Sequence, residues 1–150
     1  MKKNQKDFLE KAVHARKNSY APYSGHKIGA AVLTADGKIF TGANVENASY
    51  GGTVCAERTA IWKAITEGAK LPLKEIMIVS DQKDPWPPCG FCRQVISEFG
   101  TRETKIWIAN TKEVVKSFTF GEIFPEAFGP SHLKKIVATK IKAKKFRPKK

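Results

Sequence analysis

Cysteine is scarce in this chain: three residues in 150, Cys55, Cys89 and Cys92. An odd number, with no export signal, argues against a disulfide framework and for a reducing, cytoplasmic setting. No apolar run approaches the roughly 18 residues of a membrane span, so no membrane partner is expected. The opening MKKNQKDFLEKAVHA has lysines but no apolar stretch, and does not read as a signal peptide. No internal repeat is visible. Acid is missing from residues 134–150, which carry nine Lys and Arg, while the preceding residues carry 18 basic and 14 acidic side chains. Most of the formal charge of +13 therefore sits on the tail. The chain divides into a body, 1–133, and a basic tail, 134–150. Such a tail can meet nucleic acid or another polyanion. A solvated tail that aids solubility is the plainer reading, and nucleic-acid contact is not expected to be essential.

What is present suits one folded domain. Hydrophobic residues make up 41%, and a body of this size buries a normal core without staples. Phe8, Leu9, Ala12 and Val13 recur at helical spacing, which predicts a helix over 5–18. KIGAAVLTADGKIFTGANVEN predicts a hairpin turning at Asp36-Gly37. Thr53 is the expected N-cap of a helix over about 54–67, stopped by Gly68. Strands are expected at 73–80, 104–110 and 113–120, and a second helix from CGFCRQVISEF up to Gly100. GEIFPEAFGP reads as turns. SHLKKIVATKI, with Leu133, Ile136, Val137 and Ile141 on one face, reads as a last helix. A hairpin followed by strand–helix alternation predicts an α/β fold with helices on both faces of the sheet.

Cys89 and Cys92 stand at a helix start, where a three-residue spacing puts both sulfurs on one side of the first turn. Cys55 stands at the start of the other helix. Two helix N-termini aimed at one ion would bring three thiols together and favour their thiolates. Three protein ligands leave a metal with a free position, as in catalytic zinc sites. The spacing alone leaves other readings open: three unrelated cysteines, or a structural site closed by a distant histidine. Glu57 follows Cys55 by two residues, and in the splayed first turn it could lie beside a metal-held water without being a ligand. Its plainer role is an acid favoured by the helix dipole. Three thiolates around Zn²⁺ leave about one excess negative charge. Arg58 could offset it at a sulfur, and Gln94 could donate to another, as groups behind metal ligands do. A surface ion pair is the alternative for Arg58.

Cys55-Ala56-Glu57, followed by Pro88-Cys89-Gly90-Phe91-Cys92, resembles the pattern of the zinc-dependent deaminases. More narrowly, YAPYSGHKIGAAVLTADGKIFTGANVENASYGG, CAERTAIWKAI, PPCGFCRQVISEF and FPEAF resemble the small homotetrameric cytidine deaminases, in the family's order, over residues 8–130. The resemblance implies a three-layer α-β-α sandwich around a five-stranded mixed sheet. It implies one Zn²⁺ per subunit, held by Cys55, Cys89 and Cys92, with Glu57 as the general acid/base. It also implies that Asn44 and Glu46 bind the ribose hydroxyls and that the Ala56 backbone contacts the pyrimidine. Phe128 would reach a neighbouring subunit's site, and Tyr50 would lie near the subunit junction, so the partners are a nucleoside and three further copies of the chain. His26 departs from the family's phenylalanine at a position that lines the nucleoside pocket. It can still stack, but it adds polarity there.

The implied reaction converts cytidine and/or deoxycytidine, with water, into uridine or deoxyuridine and ammonia, a step of pyrimidine salvage. Deaminases of cytosine or adenine in single-stranded nucleic acid, or of a modified cytosine nucleoside, share the zinc chemistry. Against a polymer substrate stand NVEN, suited to a free ribose, and Phe128, which would close the pocket. A zinc-stabilised binding module without activity is the remaining rival.

Overall fold

Helix α1 (Lys3–Arg16) is followed by the hairpin β1 (Gly29–Leu33) and β2 (Ile39–Ala43), then α2 (Ala56–Thr66), β3 (Glu75–Val79), α3 (Gly90–Phe99), β4 (Lys105–Ala109), β5 (Val114–Thr119) and the short α4 (Phe120–Ile123). These elements come from a computed structural model that describes residues 3–133. The five strands form one sheet in the order β2-β1-β3-β4-β5. Only β3 and β4 run parallel; the other neighbours are antiparallel.

Side chains on a strand alternate between faces, and here each face meets its own helices. Ala30, Val32, Ile76, Ile78, Ile106 and Ile108 point to one side, where α2 and α3 supply Ala60, Ile61, Ala64 and Ile96. Ala31, Met77, Val79 and Ala109 point to the other, under Phe8, Leu9 and Ala12 of α1. The result is a helix–sheet–helix stack, an α/β fold with a five-stranded mixed sheet.

Two glycines set how closely the helices approach. A Cβ on Gly29 would lie 2.1 Å from the Ala12 carbonyl oxygen, and one on Gly42 would lie 2.4 Å from the Ala60 nitrogen. Gly29 thus lets α1 down on one face, and Gly42 lets α2 down on the other. In register, Gly29 stands beside Ala43 and beside Val79. The start of β1 and the ends of β2 and β3 therefore share one edge of the sheet, and the loops that leave this edge build the site described below.

Several expected boundaries move. Helix α1 begins two residues earlier than its apolar spacing predicts and ends at Arg16. Thr53 is not the N-cap of α2; Cys55 is. The chain stays extended as far as Cys55 because Val54 pairs with Val45 in a short antiparallel bridge. The Thr53 hydroxyl meanwhile accepts the Asn47 N–H at 3.1 Å. Gly68 does end that helix, in the left-handed region at φ +73°. Helix α4 falls where turns alone are expected. Its start is a capping box in which the Thr119 hydroxyl and backbone N–H both contact Glu122. The helix expected beyond Ser131 and the basic tail lie outside the described residues, apart from a short 3₁₀ turn at Pro130–His132.

Candidate active site

Cys55 caps α2 and Cys89 caps α3, and Cys92 follows within the first turn of α3. The two helix starts converge, so the three Sγ atoms lie within 4.8 Å of one another. Cys55 and Cys89 are 3.8 Å apart. Among the described residues this is the one cluster able to hold a metal ion. Thiols this close cannot share a charge evenly among themselves. The hydrogen bond from Cys92 holds the Cys55 thiol down to about 5, against the effect of burial and with help from Arg58. The same bond, together with burial, pushes the Cys92 thiol up. Three thiols this close all ionise only around a cation, and a soft divalent ion such as Zn²⁺ suits three sulfurs at two positive helix ends.

Glu57 is 4% exposed. Burial pushes its carboxyl up to about 7, and the neighbouring Cys55 thiolate adds to the effect. Because Cys55 is the cap, in extended backbone at ψ 154°, and Glu57 lies inside the helix, the usual opposition of residues two apart does not apply. Both line one cavity of about 310 Å³ that opens beside Cys89. Ala56, between them, is fully buried.

Arg58 donates to the Thr53 carbonyl at 2.8 Å and to Cys55 Sγ at 3.6 Å. Gln94 does not reach a sulfur as expected. Its amide donates to the Phe128 carbonyl at 2.8 Å and to Ser97 Oγ at 3.2 Å, so it ties α3 to the C-terminal loop. Arg93, which no sequence motif singled out, donates to the carbonyls of Pro88 at 2.9 Å and Ile123 at 2.8 Å. It fastens the residue before Cys89 to α4.

The outer part of the cavity is made by the loop between α1 and β1. Asn44 Oδ1 accepts from Ser19 Oγ at 2.5 Å and from the Ile28 N–H at 2.8 Å, and Nδ2 donates to the His26 carbonyl at 2.9 Å. Glu46 accepts the Tyr23 and Ser24 N–H groups at 2.9 and 3.1 Å, and the Ser24 hydroxyl as well. Both side chains are struts of this loop, yet both also line the cavity. Asn44 keeps one amide hydrogen and Glu46 keeps lone pairs for a ligand. The His26 ring meets the Trp86 ring edge-on, with centroids 4.8 Å apart, and the two form one wall. Trp86 is a site residue that the sequence reading passed over. Its signal was a single aromatic in the proline-rich loop just before Cys89, and its partner His26 is 60 positions away.

Phe128 and Tyr50, which the resemblance assigns to a neighbour's site and to the subunit junction, do not line this cavity of their own chain. Phe128 is 55% exposed and stacks on His132 at 5.1 Å. Tyr50 is also exposed and borders a neighbouring depression shared with Tyr23, Ser24, Glu46 and Thr53.

Comparison with known proteins agrees with this geometry. Residues 2–108 match the family described as the cytidine and deoxycytidylate deaminase zinc-binding region. The chain belongs to this family. Cytidine deaminase of Halalkalibacterium halodurans is 46% identical over 120 residues, which cover 80% of this chain and 90% of that one. A probable cytidine deaminase of Dictyostelium discoideum is 47% identical over 135 residues, covering 87% of this chain and 89% of that one. The crystal structure of cytidine deaminase from Burkholderia pseudomallei superposes with a TM-score of 0.77 at 42% identity, over 85% of this chain and all of that one. Zinc is therefore the metal of this deaminase site.

Proposed function

We propose that the chain hydrolyses the exocyclic amine of cytidine or deoxycytidine, giving uridine or deoxyuridine and ammonia. One observation carries this reading: a buried carboxyl, Glu57, lines a single nucleoside-sized cavity together with Cys55 and Cys89, two members of a three-thiol cluster whose third, Cys92, is buried behind them. Cys55, Cys89 and Cys92 would hold the zinc, which when bound supplies a Lewis acid that lowers the pKa of a water toward about 7. Glu57 takes a proton from the attacking water and passes it to ring N3. It then takes the proton of the new C4 hydroxyl and delivers it to the amine, so that the C4–N bond breaks as the C4 carbonyl forms and ammonia leaves. Arg58 and the two helix ends offset the negative charge of the sulfurs. The free Asn44 N–H and the Glu46 oxygens meet the sugar hydroxyls, the Ala56 backbone meets the base, and His26 with Trp86 forms a wall beside it.

Among the described residues no Lys or Arg lines the cavity, while two carboxylates, Glu46 and Glu57, do. A 5′-phosphate would meet repulsion there, and this favours a nucleoside over a nucleotide or a polymer. Phe128 and Tyr50, exposed away from their own cavity, fit a homotetramer in which each subunit completes its neighbour's site. Salvage of pyrimidines in the cytoplasm is the setting that suits such a reaction. No described helix is long and apolar enough to cross a membrane.

An ultraviolet assay tests the substrate. Cytidine and deoxycytidine are expected to turn over, deoxycytidylate and cytosine in single-stranded DNA to turn over far more slowly, and a chelator to abolish all activity. Equal rates on the DNA and on free cytidine would overturn the reading.

A further inference from the structure

Arg58 is held in a way its hydrogen bonds do not explain. Its Nε is buried and has no partner among the described residues. A guanidinium with an unmet donor gains by swinging out to water, yet the side chain is only 8% exposed. Two aromatic rings hold it in place. The Phe91 ring lies 4.3 Å from Cζ and the Trp62 ring 5.8 Å, both within the roughly 6 Å over which a ring face attracts a cation. Trp62 stands four residues beyond Arg58 on α2, and so on the same side of the helix. Phe91 comes from α3, between Cys89 and Cys92. Core packing does not hold either ring there, since Phe91 is 63% and Trp62 42% exposed.

We propose that Phe91 and Trp62 are positioning residues: an aromatic clamp that keeps the Arg58 guanidinium on Cys55 and thereby ties together the two helices that hold the zinc. The proposal rests on the zinc site described above. Retention of the metal then depends on side chains outside the ligand set. Loss of the Phe91 ring leaves Arg58 free to turn away from Cys55. The thiolates lose a compensating charge, and the N-termini of α2 and α3 lose a link across the site.

The test is the rate at which the zinc-loaded full chain gives up its metal to a chromogenic chelator in excess. Phe91→Leu keeps apolar bulk without a π face, and at so exposed a position the fold is expected to survive, which circular dichroism checks. Release is expected to speed up on the order of five-fold, within the range of cation–π contacts. Phe91→Tyr should restore the original rate. In an Arg58→Gln background, Phe91→Leu should add nothing. Release from Phe91→Leu at the wild-type rate, or equal acceleration with and without Arg58, would overturn the clamp and leave the zinc site standing. A wild-type chain that takes up no zinc would overturn both.

Discussion

Asn44 and Glu46 each serve the loop between α1 and β1 as well as the cavity. Asn44 is nearly buried, and its three hydrogen bonds run to Ser19, His26 and Ile28. Asn44→Ala would leave the Ile28 N–H and the His26 carbonyl without their partners, so unfolding in urea should show a loss of about 1–3 kcal/mol. Glu46 is half-buried at the cavity; Glu46→Gln keeps its shape and one acceptor oxygen, and should instead raise KM for cytidine with little change in stability. The carboxyl of Glu46 is held below its ordinary value, first by the Ser24 hydroxyl and then by the Tyr23 and Ser24 N–H groups. A lowered value means that these bonds are complete above the ordinary carboxyl range and are lost as the pH falls through the lower value of the folded chain. Hydrogen-exchange protection of the Tyr23 and Ser24 amides should therefore hold from neutrality down to about pH 5 and fail only in stronger acid. Protection lost near neutrality would contradict this. In sequence, NVEN suggested a sugar-binding pair. The structural half of its work was illegible because its partners lie 16 to 25 positions away.

At the scale of elements, the two close-approach glycines separate stability from catalysis. Gly42→Ala would drive a Cβ into the Ala60 nitrogen and the Ala56 carbonyl, moving the helix that carries Cys55 and Glu57. Gly29→Ala would lift α1 on the opposite face, away from the cysteines. Both should lower the melting temperature, by an amount corresponding to about 1–3 kcal/mol of overpacking. Only Gly42→Ala should also lower kcat per folded molecule, and an equal loss of kcat in both would argue against the division of the faces. Hydrophobic period made the strands and main helices legible. Helix starts were less so, because Thr53 and Cys55 compete as caps and the winner is decided by the bridge from Val54 to Val45. The capping box at Thr119 and Glu122 was present in the sequence, but the apolar period of β5 runs straight into it. Spacing and helix polarity suggested the thiol cluster but left other readings open, and the resemblance of the motifs singled it out. The fate of Gln94 was not, since two helices and a loop decide which acceptor it meets.

At the scale of the whole molecule, the proposed tetramer and the basic tail each make a prediction. If Phe128 completes a neighbour's site, Phe128→Ala and Glu57→Gln chains should each be nearly inactive alone. Co-refolded together they should regain part of the wild-type activity, because a subunit with an intact Glu57 can then meet a neighbour with an intact Phe128. No recovery in a mixture shown by light scattering to be tetrameric would place Phe128 outside the site. Removal of residues 134–150 takes away nine basic groups and no acid, and should leave kcat/KM for cytidine unchanged if the body 1–133 is the catalytic unit.

Glu57 is the residue on which the proposed chemistry turns. Ammonia release from cytidine and zinc content, measured on the same preparations of wild type and Glu57→Gln, give the most direct test. Both proteins should carry one zinc per chain, with turnover of the variant down by at least the roughly 10²–10⁴-fold expected for loss of acid–base catalysis. A zinc-loaded Glu57→Gln chain that kept most of its activity, or a zinc-loaded wild type that released no ammonia, would contradict it.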